Sequence, residues 1–167
     1  MMTAANHRPD GGELLARTLA EAGVEHIFAL HGGHLESFWQ GCLRHGLQLT
    51  DFRHEASAGH AADAYARTTG RLGVCAITSG PGFTNAITAI ANAFLDGIPA
   101  LFIVGSPPLR DVETNPLQGG IDQIAMVTPG VKWAHPVSYN HLRAHATVLD
   151  LVCRLFLETK QPPQHNQ

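Results

Sequence analysis

The apolar residues of this chain fall into short blocks that switch between a helical and an extended period. Behind Asp10, which can cap a helix, Leu14, Leu15, Leu19 and Ala22 recur at helical spacing, and Gly23 stands where a helix C-terminal glycine would. Val24 to Leu30 reads as a strand and runs into His31-Gly32-Gly33-His34, two glycines that let backbone approach a ligand. Leu35, Phe38, Trp39 and Leu43 mark a second helix, ended by Gly46, and Leu47 to Phe52 is a second strand that delivers Glu55 at its carboxyl end. Small residues dominate from Ala56 to Thr69, which suits a helix packed closely on a sheet or a partner. Val74 to Ile77 has no polar alternation and reads as a strand covered on both faces. The turn Thr78-Ser79-Gly80-Pro81-Gly82 opens a helix from about Phe83 to Leu95. Ala100 to Val104 is again apolar, and a loop holding Gln118 precedes a short helical stretch from Ile121 to Val127.

Such alternation predicts an α/β fold: an open, mostly parallel sheet with helices on both faces and right-handed crossovers. Ligands in these sheets bind beyond the carboxyl ends of the strands. Four segments occupy that position here, namely His31 to His34, Glu55, Gly80 to Asn85 and the loop with Gln118, so they are expected to share one rim.

Length and composition narrow the setting. The 167 residues suit one domain, and 44% hydrophobic with 15% charged residues is a globular balance. A formal net charge of -3 with no run of Lys or Arg leaves no footprint for nucleic acid or an anionic membrane and favours small-molecule partners. No apolar run reaches the roughly 18 residues a bilayer span needs, and Met1 to Pro9 lacks the apolar centre of a signal peptide. Cys42, Cys75 and Cys153 show no metal-ligand spacing, and Cys75 reads as a small buried thiol. A reducing, cytoplasmic setting follows as the expectation.

Several familiar motifs are imitated and then missed. Gly80-Pro81-Gly82 resembles the start of a dinucleotide fingerprint, but Asn85 replaces the third glycine and the later acidic residue is lacking. His54-Glu55 lacks the second histidine of a zinc helix, because position 58 is Ala58. Ser79 lacks the flanking glycines of a nucleophile elbow. No metal ligands are assigned. His7, His26, His45 and His135 read as surface or structural, and Trp39 and Trp133 as packing residues. Glu55 has two readings: a helix-start carboxylate that satisfies free amides and the helix dipole, or a functional acid on a concave rim.

At these residues the chain resembles the N-terminal, pyrimidine-binding domain of thiamine diphosphate-dependent enzymes of the acetolactate synthase-like superfamily. Arg53-His54-Glu55-Ala56, Gly59-His60-Ala61-Ala62, Ala64-Tyr65-Ala66-Arg67, Thr78-Ser79-Gly80-Pro81-Gly82 and Asn85 carry the likeness. Within the superfamily, Leu30-His31-Gly32-Gly33-His34, Arg110-Asp111, Leu117-Gln118, Gly120-Ile121-Asp122-Gln123 and Lys132-Trp133-Ala134-His135 are most similar to benzaldehyde lyase-like sequences.

The resemblance implies thiamine diphosphate as cofactor and a carbon-carbon lyase or carboligase acting on 2-hydroxy ketones and aldehydes. It implies that Glu55 hydrogen-bonds the aminopyrimidine ring nitrogen and favours the imino tautomer that removes the thiazolium proton. Thr78, Gly80, Pro81, Gly82 and Asn85 would line the cofactor. His34 and Gln118 would handle the substrate hydroxyl and carbonyl, in a pocket completed by His31, Gly32 and Gly33. Gly33 stands where benzaldehyde lyase-like sequences carry alanine, which bears on substrate size. The family holds Mg2+ and the diphosphate through a Gly-Asp-Gly to Asn segment of a C-terminal domain, which this sequence lacks. It also builds its site between subunits of a homodimer or homotetramer. The expectation is therefore a fragment, inactive alone, of a longer parent. Acetolactate synthase, with FAD, or another 2-oxo acid decarboxylase is the alternative parent, and a non-catalytic or split subunit that needs a partner chain is a second alternative.

Residues 1–136 carry this pattern. Residues 137–167 instead resemble the translation of a transposon-type sequencing adapter, with Asn140, Ala146 and Phe156 as departures. The alternative there is an amphipathic helix, since Leu149, Val152 and Phe156 fall at helical spacing.

Overall fold

The computed structural model describes residues 9–106 and 121–137. Gln118 and the adapter-like tail beyond Val137 lie outside the described residues. Within them the chain runs α1 (Gly11–Glu21), β1 (His26–Ala29), α2 (Glu36–Arg44), β2 (Gln48–Asp51), α3 (Glu55–Thr69), β3 (Gly73–Ile77), α4 (Pro81–Leu95), β4 (Ala100–Val104) and α5 (Gln123–Val127), followed by a single 3-10 turn, Thr128–Gly130. The first two strands are shorter than the apolar runs that predict them: the Val24 N–H turns back to the Leu19 carbonyl at 3.0 Å, while Glu25 and Leu30 each keep one bond to a neighbouring strand, to the Gln48 N–H at 2.8 Å and the Ala76 carbonyl at 3.3 Å.

Local chemistry starts the helices. The Asp10 carboxylate accepts the Glu13 N–H at 2.9 Å and caps α1. Pro81 occupies the first turn of α4, where its missing N–H costs nothing. α3 ends on Gly70, whose φ of 68° is left-handed.

The four strands are all parallel, in the order β2-β1-β3-β4. Ile27 is in register with both Leu49 and Val74, and Cys75 with Phe102. Alternate side chains feed two cores. On one face Ile27, Ala29, Val74 and Ala76 meet Ala16 and Leu19 of α1 and Phe38, Trp39 and Cys42 of α2. On the other, Phe28, Cys75, Ile77, Phe102 and Val104 meet Ala58 and Ala62 of α3 and Ala86 of α4. Burial of each large apolar side chain, such as Leu19, Ile27 or Phe38, is worth about 1.5–3 kcal/mol. β3 lies inside the sheet and all five of its residues are buried, as its unbroken apolar run predicts. β4 has the same composition but lies at the end of the strand order, and its residues are half-buried.

Trp39 is a packing residue, as expected, whereas Trp133 is 45% exposed and stacks on His135 with ring centroids 5.5 Å apart. Among the described residues no helix is long and apolar enough to cross a membrane.

Candidate functional site

The carboxyl ends of the strands meet as the alternation predicts. β2 runs out through Phe52 and Arg53 into α3, whose first residue is Glu55. The helix is capped not by Glu55 but by its neighbour: His54 Nδ1 accepts the Ala56 N–H at 3.2 Å. The amide that a cap would satisfy is thereby taken by His54, and Glu55 remains as the acid of the first turn. It is only 8% exposed, and its Oε2 accepts a hydrogen bond from Asn85 Nδ2 of α4 at 2.9 Å. A buried carboxylate needs such a partner.

Beside it the glycine turn supplies space. Gly80 sits at φ 61°, ψ -117°, a conformation that a side chain would strain, and it turns β3 into α4. A Cβ at position 82 would lie 3.1 Å from Glu55 Oε1 and 2.6 Å from Thr78 Cγ2, so only glycine lets α4 start this close to the acid. Thr78 is nearly buried, and its Oγ1 donates to the Gly33 carbonyl at 3.2 Å. The turn after β1 is thus tied to the turn after β3. Gly32 packs against Thr78 from the other side, with a Cβ there 2.6 Å from Thr78 Cβ.

Of the predicted residues, then, Glu55, Asn85, Gly82, Thr78, Gly32 and Gly33 are drawn together. Pro81 is exposed at the start of α4. His34 is exposed on the same rim and holds a left-handed φ of 71°, a sparsely populated conformation for a residue with a Cβ. His31 is turned elsewhere: its Nε2 lies 3.4 Å from Glu36 Oε2, and its ring is 5.8 Å from that of Trp39. The Glu36 carboxyl is held below the usual carboxylate range, first by the Gln40 amide and then by His31. Ser79 is wholly buried and cannot meet a substrate, consistent with the missing elbow glycines.

One rim residue entered the sequence reading only as part of a likeness, with no role given to it. Gln123, at the start of α5, accepts the Gly80 N–H on Oε1 at 3.0 Å and donates from Nε2 to the Gly105 carbonyl at 3.2 Å. It clamps the glycine turn to the end of β4. Beyond that likeness its sequence signal is a glutamine directly after the Asp122 cap, with no periodicity to mark it.

Burial pushes both described thiols up to about 12, and the Glu55 charge adds to the effect at Cys75. Each is a neutral core group rather than a nucleophile.

Residues 9–126 match the family model described as thiamine pyrophosphate enzyme, N-terminal TPP binding domain. Over 127 residues, 76% of this chain and 20% of the relative, the sequence is 42% identical to 2-hydroxyacyl-CoA lyase 2 of Bos taurus. The Homo sapiens protein of that name is 40% identical over 123 residues, 74% of this chain and 19% of the relative. A probable acetolactate synthase of Mycobacterium bovis is 37% identical over 132 residues, 79% of this chain and 24% of the relative. The chain thus spans about a fifth of the length of the curated relatives it matches.

Proposed function

The chain belongs to the thiamine pyrophosphate enzymes, as their N-terminal TPP-binding domain, and from that premise we propose that it forms the pyrimidine side of the active site of a carbon-carbon lyase or carboligase. The substrate class is a 2-hydroxy carbonyl compound, cleaved beside its hydroxyl-bearing carbon, or the aldehydes joined in reverse. The observation that carries this reading is the Glu55 carboxylate: buried, relieved of capping by His54, fixed on Oε2 by Asn85, and with Oε1 beside the space that Gly82 leaves. A carboxylate so held suits a ring nitrogen that must share a proton.

When bound, thiamine diphosphate supplies the carbanion chemistry at the carbonyl carbon, and the protein supplies orientation and proton control. Glu55 would hold the proton shared with the pyrimidine ring nitrogen. Thr78, Gly80, Pro81 and Gly82 would line the ring, and Asn85 keeps the carboxylate from turning away. His34, exposed at the rim, exchanges a proton with the substrate hydroxyl, and the substrate carbonyl falls to Gln118, as the sequence resemblance implies. Among the described residues nothing lies within 4 Å of where a Cβ at Gly33 would stand, which suits a larger substituent on this wall. Mg2+ and the diphosphate would be held by a part of the parent outside this match, in a homodimer or homotetramer that would close the site between subunits.

Two relatives name a 2-hydroxyacyl-CoA lyase, which makes a 2-hydroxyacyl thioester the first substrate to assay, with benzoin as the benzaldehyde lyase-like alternative. The second reading is acetolactate synthase, with FAD and pyruvate, and it is favoured by the mycobacterial relative. In the full-length protein, Glu55→Gln is expected to slow exchange of the cofactor C2 proton by about 100-fold or more. An unchanged exchange rate would remove Glu55 from the mechanism. Acetolactate as the main product from pyruvate would reject the lyase reading, and turnover by the 167-residue chain alone would reject the half-site.

A further inference from the structure

α3 and α4 leave the rim side by side, and the surface between them has few knobs. A Cβ at Gly59 would come 2.6 Å from Ala89 Cβ, and Ala58, Ala62, Ala86, Ala89 and Ala93 are buried. Ridges and grooves lock helices lengthwise only where side chains interdigitate. Between alanine surfaces a slip of one residue, about 1.5 Å, forfeits few contacts. The register must come from elsewhere.

Two acid-amide bridges provide it. At the rim, Asn85 Nδ2 donates to Glu55 Oε2 at 2.9 Å. Eight residues further along α3 and seven along α4, or about 11 Å, the pattern repeats. There Asn92 Nδ2 donates to Asp63 Oδ2 at 2.8 Å. Asp63 is only 4% exposed, and its two oxygens also accept from Arg67 Nε at 3.0 and 3.1 Å. Arg67 in turn reaches the cap of α4, where its Nη2 donates to Asp96 Oδ2 at 2.6 Å. An apolar pair would hold the helices together equally well. What a buried acid with directional partners adds is a single permitted alignment. A lengthwise slip of about 1.5 Å across such a bond stretches it to the edge of hydrogen-bond range and tilts it off line, and it does so at both bridges together.

We propose that Asp63 and Asn92 are positioning residues for Glu55: they set the lengthwise register of α4 against α3, and so keep Asn85 within reach of the carboxylate at the rim. The inference rests on the role proposed for Glu55, but its test does not. In the 167-residue chain without cofactor, Asn92→Ala removes an exposed amide and spares the buried acid. NMR should then show a retained, dispersed spectrum in which the Asn85 side-chain amide protons exchange at least about tenfold faster and shift toward free asparagine. The exchanged pair Asp63→Asn/Asn92→Asp reverses donor and acceptor and should restore both signals. Arg44→Ala, which breaks the 2.8 Å Arg44 to Glu13 bridge between α1 and α2, should leave them in place. Asn85 signals unmoved in Asn92→Ala, moved as far by Arg44→Ala, or unrestored in a folded exchanged pair would each overturn the proposal. Failure here leaves the cofactor reading standing, and unchanged C2 exchange in Glu55→Gln leaves the register result intact.

Discussion

A methyl group at position 82 would have nowhere to go: it meets Thr78 Cγ2 at 2.6 Å and Glu55 Oε1 at 3.1 Å, and the threonine is itself held by its bond to Gly33. Gly82→Ala is therefore expected to destabilise the chain by about 1–3 kcal/mol, read as a lower midpoint in urea. The same substitution at Gly33, on the same rim, meets nothing among the described residues and should change stability by no more than about 0.5 kcal/mol. Equal losses at the two sites would contradict this picture of the turn. At this scale the sequence showed Glu55 as an acid at a strand end, yet left open whether it capped a helix. The answer lies in one ring orientation, His54 Nδ1 toward the Ala56 N–H, which no spacing encodes. Trp133 was misread for a similar reason: aromatic character predicts burial only where another element arrives to cover it.

Among the elements, α1 and α2 share one face of the sheet but not one means of starting. α1 has the Asp10 carboxylate on the Glu13 N–H, whereas α2 begins at Leu35 with no side-chain cap. Asp10→Ala should cost about 1 kcal/mol and speed amide exchange in the first turn of α1, while leaving the rim signals of Asn85 unchanged. Helix starts of this kind are local events and were legible from Asp10 onward. Strand ends were less so, because an apolar residue can bond to the turn, as Val24 does to Leu19, or to the next strand, as Leu30 does to Ala76. Full burial of β3 and half-burial of β4, from equally apolar sequences, reflect their places in the strand order and nothing in their composition.

For the whole molecule, the two sheet faces each bury one thiol, Cys42 on the α1 and α2 side and Cys75 on the α3 and α4 side. Burial raises both from the ordinary 9.0 to about 12. The unfolded chain therefore loses these protons first as the pH rises. Stability from the neutral buried thiols is fully present below about pH 9 and is lost progressively between about pH 9 and pH 12. Urea unfolding at pH 8 and pH 10.5 should show that decline, and Cys75→Ala should flatten it; an unaltered slope in the variant would discount the thiol. The order of elements, the glycine turns and the acid at the end of β2 were all determined by the sequence itself, because periodicity and turn chemistry act over a few neighbouring residues. Which side chains meet was decided only by the tertiary structure. Glu55 finds Asn85 thirty residues away, and Gln123 reaches Gly80 across forty-three, because β3 pairs with β1 and two smooth helices are held in one register. Those pairings depend on how the layers close on one another, and no local pattern carries that information.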